Sequence, residues 1–145
     1  MAETIAFASD HAGYPLKEIL KQEAESLGHG VLDLGTGGPE SVDYPDFGSA
    51  AAKAVAEGRA RWGVVCCGTG IGISIAANRN PAVRAALCHD ATTARLSREH
   101  NDANVLALGA RIVGEEVARE CLRVFLSTAF GAGRHTPRVA KLGAS

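Results

Sequence analysis

Apolar residues along this chain come in short runs separated by polar, glycine-marked joints, and the runs alternate between two periods. "TIAFASD" near the N-terminus is a compact apolar run with a polar end, as a buried strand has. Pro15 to Leu27 follows a helical period. Leu16, Ile19, Leu20, Ala24 and Leu27 form one stripe, Pro15 suits a first helical position, and Gly28 closes the segment. "VLDLG" reads as a second strand, and the Gly- and Pro-rich "TGGPESVDYPD" as a loop. Phe47 to Ala56 is an alanine-rich helix stopped by Gly58. "WGVVCCG" is a third strand, Ile71 to Asn78 a helix, "VRAALC" a fourth strand and Ala91 to His100 a helix. "NVLALGA" is a fifth strand. Gly114 to Ala129 is a long helix with Val117, Cys121, Leu122, Val124 and Phe125 facing inward. The tail from about residue 130 is irregular, with a final helix from about Pro137.

The strands are apolar on both faces, which a parallel sheet covered on both sides requires. The pattern predicts an α/β fold: a Rossmann-like three-layer sandwich, with a five-stranded parallel sheet and helices on both faces. A single domain over residues 1–145 is long enough to bury a full core. In such sheets ligands bind beyond the carboxyl ends of the strands.

Composition narrows the function classes. The formal net charge is −1, so no basic field draws the chain to nucleic acid or a membrane surface. No apolar stretch is long enough to span a bilayer, and no basic leader with a cleavage site precedes the first strand. The four cysteines, Cys66, Cys67, Cys88 and Cys121, match no zinc or redox spacing. Adjacent Cys66 and Cys67 would point to opposite faces of a strand, so a reduced, cytoplasmic protein is expected. The five histidines show no paired metal spacing, and no metal or other cofactor is expected. Seventeen glycines exceed the count of about ten that roughly 7% usage would give. Several must therefore serve tight turns or close backbone approaches.

The candidate chemistry collects at the strand ends. Asp10 and His11 follow the first strand, and Gly35-Thr36-Gly37 the second. Cys67, Gly68, Thr69, Gly70, Ile71 and Gly72 follow the third, and Arg111 the fifth. The helix after the fourth ends in "REHND", with His100 and Asn101. A buried cysteine is usually only a small hydrophobe, which suits Cys66, Cys88 and Cys121. Cys67 differs because glycines and a helix start surround it, and backbone N–H groups there would stabilise a thiolate. The glycine loop fails the dinucleotide and P-loop fingerprints, and Ile73 stands where a phosphatase loop would want arginine. What remains is a nest of N–H donors for a small anion or an oxyanion. A tight turn alone would need one glycine, not three. Asp10 and His11 could simply cap the following segment. In the tail, Arg134 and Arg138 stand four apart, which would align them on one helical face and suit a phosphate.

Five blocks, "SDHAGYPLK", "DYPDFG", "CGTGIGISIAANR", "SREHNDANVLALGARIVG" and "GRHTPRV", resemble the type B ribose-5-phosphate isomerases and the related galactose-6-phosphate isomerase subunits. The likeness runs in order from Ile5 to about Val139. It implies a metal-free aldose–ketose isomerase of carbohydrate metabolism, a homodimer or tetramer with active sites between subunits and a small sugar phosphate as substrate. Residue by residue, Cys67 matches the catalytic base, Thr69 the hydroxyl beside it, and His100 the group that opens the sugar ring with Asp10 assisting. Gly68, Thr69, Gly70, Ile71, Gly72 and Asn101 match contacts to the sugar and its oxyanion. His11, Arg111, Arg134 and Arg138 match the phosphate end. One branch of the family carries glutamate as base where this chain has Ile73, so the chain falls in the cysteine branch. The resemblance leaves open a six- or four-carbon sugar phosphate in place of the pentose. A catalytically silent sugar-phosphate-binding module is the alternative from another class.

Overall fold

The computed structural model describes residues 2–143. Five parallel strands form one sheet in the order β2-β1-β3-β5-β4: β1 (Thr4–Ser9), β2 (Gly30–Asp33), β3 (Trp62–Cys67), β4 (Ala85–Leu87) and β5 (Val105–Gly109). Helices α1 (Tyr14–Ser26), α4 (Ala91–Asn101) and α5 (Glu115–Ser127) cover one face, and α2 (Tyr44–Ala56) and α3 (Ile71–Asn78) the other. A 3-10 turn (Gly133–His135) and α6 (Thr136–Leu142) form the tail. The expected three-layer sandwich is the observed fold. No helix among the described residues is long and apolar enough to cross a membrane.

The chain order of the last two strands is reversed in space. β5 is wholly buried and lies inside the sheet, while β4 has three half-buried residues and takes the edge. The more apolar strand occupies the place covered on both faces. Asn78, the last residue of α3, closes part of that edge. Its amide Nδ2 donates to the Ala85 carbonyl at 2.9 Å and its Oδ1 accepts the Ala85 N–H at 2.7 Å.

Pleating separates the two cysteines as expected. Cys66 packs with Phe7, Leu16 and Leu108 beneath α1, and Cys67 with Ala8, Ile73 and Ala107 beneath α3. Burial first, then the neighbouring Cys67, push the Cys66 thiol far up, so it stays protonated. Burial likewise lifts Cys121, to about 12. All four cysteines are free.

Two helix stripes differ from the sequence pattern. In α1, Leu27 lies 44% exposed past the helix end, while Lys17 and Glu23 are buried beside Leu16, Leu20 and Ala24. In α5, Val117 is 37% exposed and Ala118 takes its inward place with Cys121, Leu122 and Phe125. The buried charges have distant partners. Glu23 accepts from Arg119 at 2.8 Å and Arg123 at 3.2 Å, and the Arg119 bond foremost holds its carboxyl below the usual range. Arg98 stacks on Trp62, its guanidinium carbon 4.4 Å from the ring centre, and donates to the Ala103 and Thr128 carbonyls. Trp62 meets Phe125 edge-on at 5.5 Å. Truncating such a core ring costs about 3–5 kcal/mol.

Candidate active site

The strand order reverses between β1 and β3, since the chain leaves β1 toward β2 on one side and returns to β3 on the other. A crevice forms at such a switch point, beyond the carboxyl ends of the strands. Asp10 and Cys67 emerge there from adjacent strands, with Ser9 and Cys66 in register.

Cys67 ends β3 at 5% exposure, and its Sγ accepts the Gly70 N–H at 3.2 Å. The three loop glycines have three separate causes. Gly70 has φ +79°, and a Cβ there would stand 2.5 Å from Leu87 Cδ1. A Cβ on Gly68 would reach 3.1 Å from Arg111 Nη1, so the guanidinium lies directly over the loop. A Cβ on Gly72 would lie 2.5 Å from the Tyr44 ring, which covers the start of α3. Two of the loop amides are already engaged: Gly70 on Cys67 Sγ, and Ile71 on Thr69 Oγ1 at 3.2 Å. The Gly68, Thr69 and Gly72 amides have no acceptor among the described residues and remain as the donor set. The nest is thus narrower than the run of glycines suggests.

Asp10 is 7% exposed, and its Oδ1 accepts the Gly13 N–H at 3.0 Å, so it closes the turn that leads into α1. His11 Nδ1 accepts the Val42 N–H at 3.2 Å. A neutral ring accepting at Nδ1 carries its proton on Nε2, which is then a donor. Arg111 is exposed and makes no ion pair among the described residues.

His100 and Asn101 are not brought to this edge. Helix α4 starts just beyond the end of β4 and runs back along the sheet, about 16 Å over its 11 residues. Asn104, three residues after α4, hydrogen-bonds Arg84 before β4 and Gly63 at the start of β3. His100 therefore lies at the amino-terminal edge, with the depth of the sheet between it and Cys67. Reading the end of α4 as a strand-end position overlooks the helix's own length.

The tail joins His100 there. Gly131 N–H donates to the Glu99 carbonyl at 2.9 Å, and His135 stacks on His100 with ring centres 4.5 Å apart and 20° between planes. Desolvation first, then His100, lower the His135 pKa. Arg134 sits in the 3-10 turn and Arg138 in α6, so they do not share one helix as their spacing suggested. Both are exposed and without an ion pair among the described residues. A cavity of about 790 Å³ opens along β4 beside Asn101, lined by Arg79, Arg84, Leu96 and Leu142 among others; the Cys67 loop does not line it. Among the described residues no three His, Cys, Asp or Glu side chains gather as a metal would need. Sequence reasoning gave no role to Tyr44 or His135. Their signal was their place inside the blocks "DYPDFG" and "GRHTPRV".

These features define a doubly wound α/β protein with a nearly buried thiol, unengaged loop amides and an overlying guanidinium at its switch point. A sequence profile of the family described as Ribose/Galactose Isomerase matches residues 5–142. Ribose-5-phosphate isomerase B of Escherichia coli is 44% identical over 97% of this chain and 94% of its own length. The structure of Clostridium thermocellum ribose-5-phosphate isomerase B is 51% identical with a TM-score of 0.96, covering 97% of this chain and 95% of that one. D-erythrulose-4-phosphate isomerase of Pectobacterium atrosepticum is 38% identical over 97% of this chain and 93% of its own. The chain belongs to the ribose/galactose isomerase family.

Proposed function

We propose that this protein is an aldose–ketose isomerase that interconverts ribose 5-phosphate and ribulose 5-phosphate. Cys67 is the base, and its placement carries the reading: a nearly buried sulfur on the Gly70 amide, beside loop amides and an Arg111 that have no partner among the described residues. The thiolate takes the proton from C2 of the open-chain aldose. The C–H electrons become the C1–C2 double bond, and the carbonyl pair moves onto O1. The enediolate is held by the Gly68, Thr69 and Gly72 amides and the Thr69 hydroxyl, and one well-aimed donor of this kind contributes about 3–4 kcal/mol. A proton moves from the O2 hydroxyl to O1. The electron pair left on O2 then closes the C2=O bond of the ketose, while the C1–C2 double-bond pair takes the thiol proton onto C1, which restores the thiolate. His100, with Asp10, opens the ring beforehand. His11, Arg111, Arg134 and Arg138 hold the phosphate, remote from the reacting carbons, and Asn101 contacts the sugar.

One chain holds only part of these groups at each edge of its sheet. The reading therefore requires a homo-oligomer in which the Cys67 edge of one copy meets the His100 edge of another. Four free cysteines suit a reducing, cytoplasmic setting. Turnover of ribose 5-phosphate, allose 6-phosphate, galactose 6-phosphate and erythrulose 4-phosphate tests the proposal. Preference for ribose 5-phosphate is expected; preference for another sugar would move the substrate, and turnover of none would leave a binding module.

A further inference from the structure

Lys17 is the least expected residue in the core. Its side chain is fully buried on α1, where a charge is costly unless every donor is paired. Its Nζ donates to both oxygens of Asp33, at 2.8 and 2.9 Å, and to Glu18 Oε2 at 3.1 Å. Three donors meet three acceptors, which completes an ammonium. Asp33 ends β2, and its carboxylate also takes Lys21 at 2.6 Å and the Gly35 N–H at 2.9 Å. Burial works to raise this carboxyl, yet Lys17, Lys21 and the Gly35 amide hold it near 2. An exposed Lys21–Asp33 pair would have sufficed for a surface contact. Burying a second lysine against the same carboxylate fixes one geometry.

What that geometry fixes is a strap. Gly35 passes its carbonyl to the Ser9 N–H at 2.8 Å, and the Thr36 N–H returns a bond to the Ser9 carbonyl at 2.8 Å. Ser9 directly precedes Asp10 and His11. The strap then runs over residues 36–43, and Val42 near its far end donates to His11 Nδ1. The strap is thus anchored at its root by Asp33, and its other end sets the orientation and tautomer of His11. We propose that the Lys17–Asp33 pair is a positioning clasp for His11, holding Nε2–H toward the anionic end of the substrate through the 35–43 strap. The second half of this statement rests on the isomerase reading, which puts His11 at the phosphate; the first half does not.

The experiment separates the two. Asp33→Ala removes the anchor for Lys17 and Gly35 together. Asp33→Asn keeps the shape and one acceptor and serves as the conservative rescue, and it also covers a failure of Asp33→Ala to fold. Long-range nitrogen–proton NMR of the His11 ring reads its tautomer without substrate. The wild type should show one form, protonated on Nε2. Asp33→Ala should mix the tautomers, and Asp33→Asn should fall between. In turnover, Asp33→Ala should raise KM on the order of tenfold with kcat within about twofold, since a remote binding contact is lost. An unchanged His11 signature in the folded variants overturns the clasp, even if their melting temperature falls. A changed signature with an unchanged KM overturns its link to the substrate. If the wild type turns over no sugar phosphate, the isomerase reading fails while the NMR still decides the clasp.

Discussion

The two edges of the sheet are built differently. At the carboxyl edge the Cys67 loop is enclosed: Gly68 by Arg111, Gly70 by Leu87 and Leu108, Gly72 by Tyr44. Its thiol is nearly buried and its geometry is set by strands β1, β3 and β5. At the amino edge His100 is half-buried, Asn101, Arg134 and Arg138 are exposed, and α6 buries none of its residues. The tail is held to α4 by the Gly131 bond, the Arg98 bond to Thr128 and one ring stack. The difference teaches that the Cys67 loop, the reacting centre of the proposed isomerase, is preorganised within one chain. His100, Asn101, Arg134 and Arg138 stand on an open surface, which on the proposed reading a second copy encloses.

The sharpest way to break the comparison is Cys67→Ala. It should lower turnover by about 10²–10⁴-fold or more while substrate still binds, as loss of a general base does. Near-normal rates would remove the base from the carboxyl edge. Mixing follows in size. Cys67→Ala and His100→Ala, each inactive alone, should regain activity when unfolded and refolded together. A dimer with one shared site of each kind returns about a quarter of wild-type sites. Steady inactivity of the mixture would mean that both groups act within one chain. Next comes Gly70→Ala, which forces a side chain to φ +79° against Leu87 and should destabilise by about 1–3 kcal/mol, read by denaturant melts.

The smallest effect separates the edges by pH. Asp33 binds protons more weakly folded than unfolded, so the carboxyl edge keeps its stability until pH falls below 3.8 and loses it toward about 2. His135 also binds protons more weakly when docked than at its ordinary 6.5. Docking of the tail should therefore weaken as pH falls below 6.5, measured by hydrogen exchange over residues 131–143. Equal protection of the tail at pH 5 and 8 would sink this distinction.

Much of this was legible because it is local. The period of each run gave the strands, and Ile71–Asn78 was bounded to the residue by Gly70 and the asparagine after two alanines. The strand-end rule found Asp10, His11, Cys67 and Arg111 at the carboxyl edge. It failed for His100 and Asn101, where an 11-residue helix had carried the chain back across the sheet. Lys17 and Glu23 were invisible as core because what permits their burial lies far along the chain, at Asp33 and Arg119. Strand order was equally non-local. Nothing in the short run "AAL" says that it will be passed over by "VLALG", except its smaller apolar content.

The Asn78 amide has a consequence for how copies of this chain can meet. An edge strand with free N–H and C=O groups is a template on which identical chains add strand to strand without limit. At Ala85 both groups are already answered by one side chain acting as a single-residue strand. A second copy cannot extend the sheet there and must come face to face through side chains. The same three-residue brevity of β4 that makes it a poor inner strand makes it a safe border. Asn78→Ala should leave the fold intact and raise the tendency to form fibrous aggregates, followed by light scattering on storage.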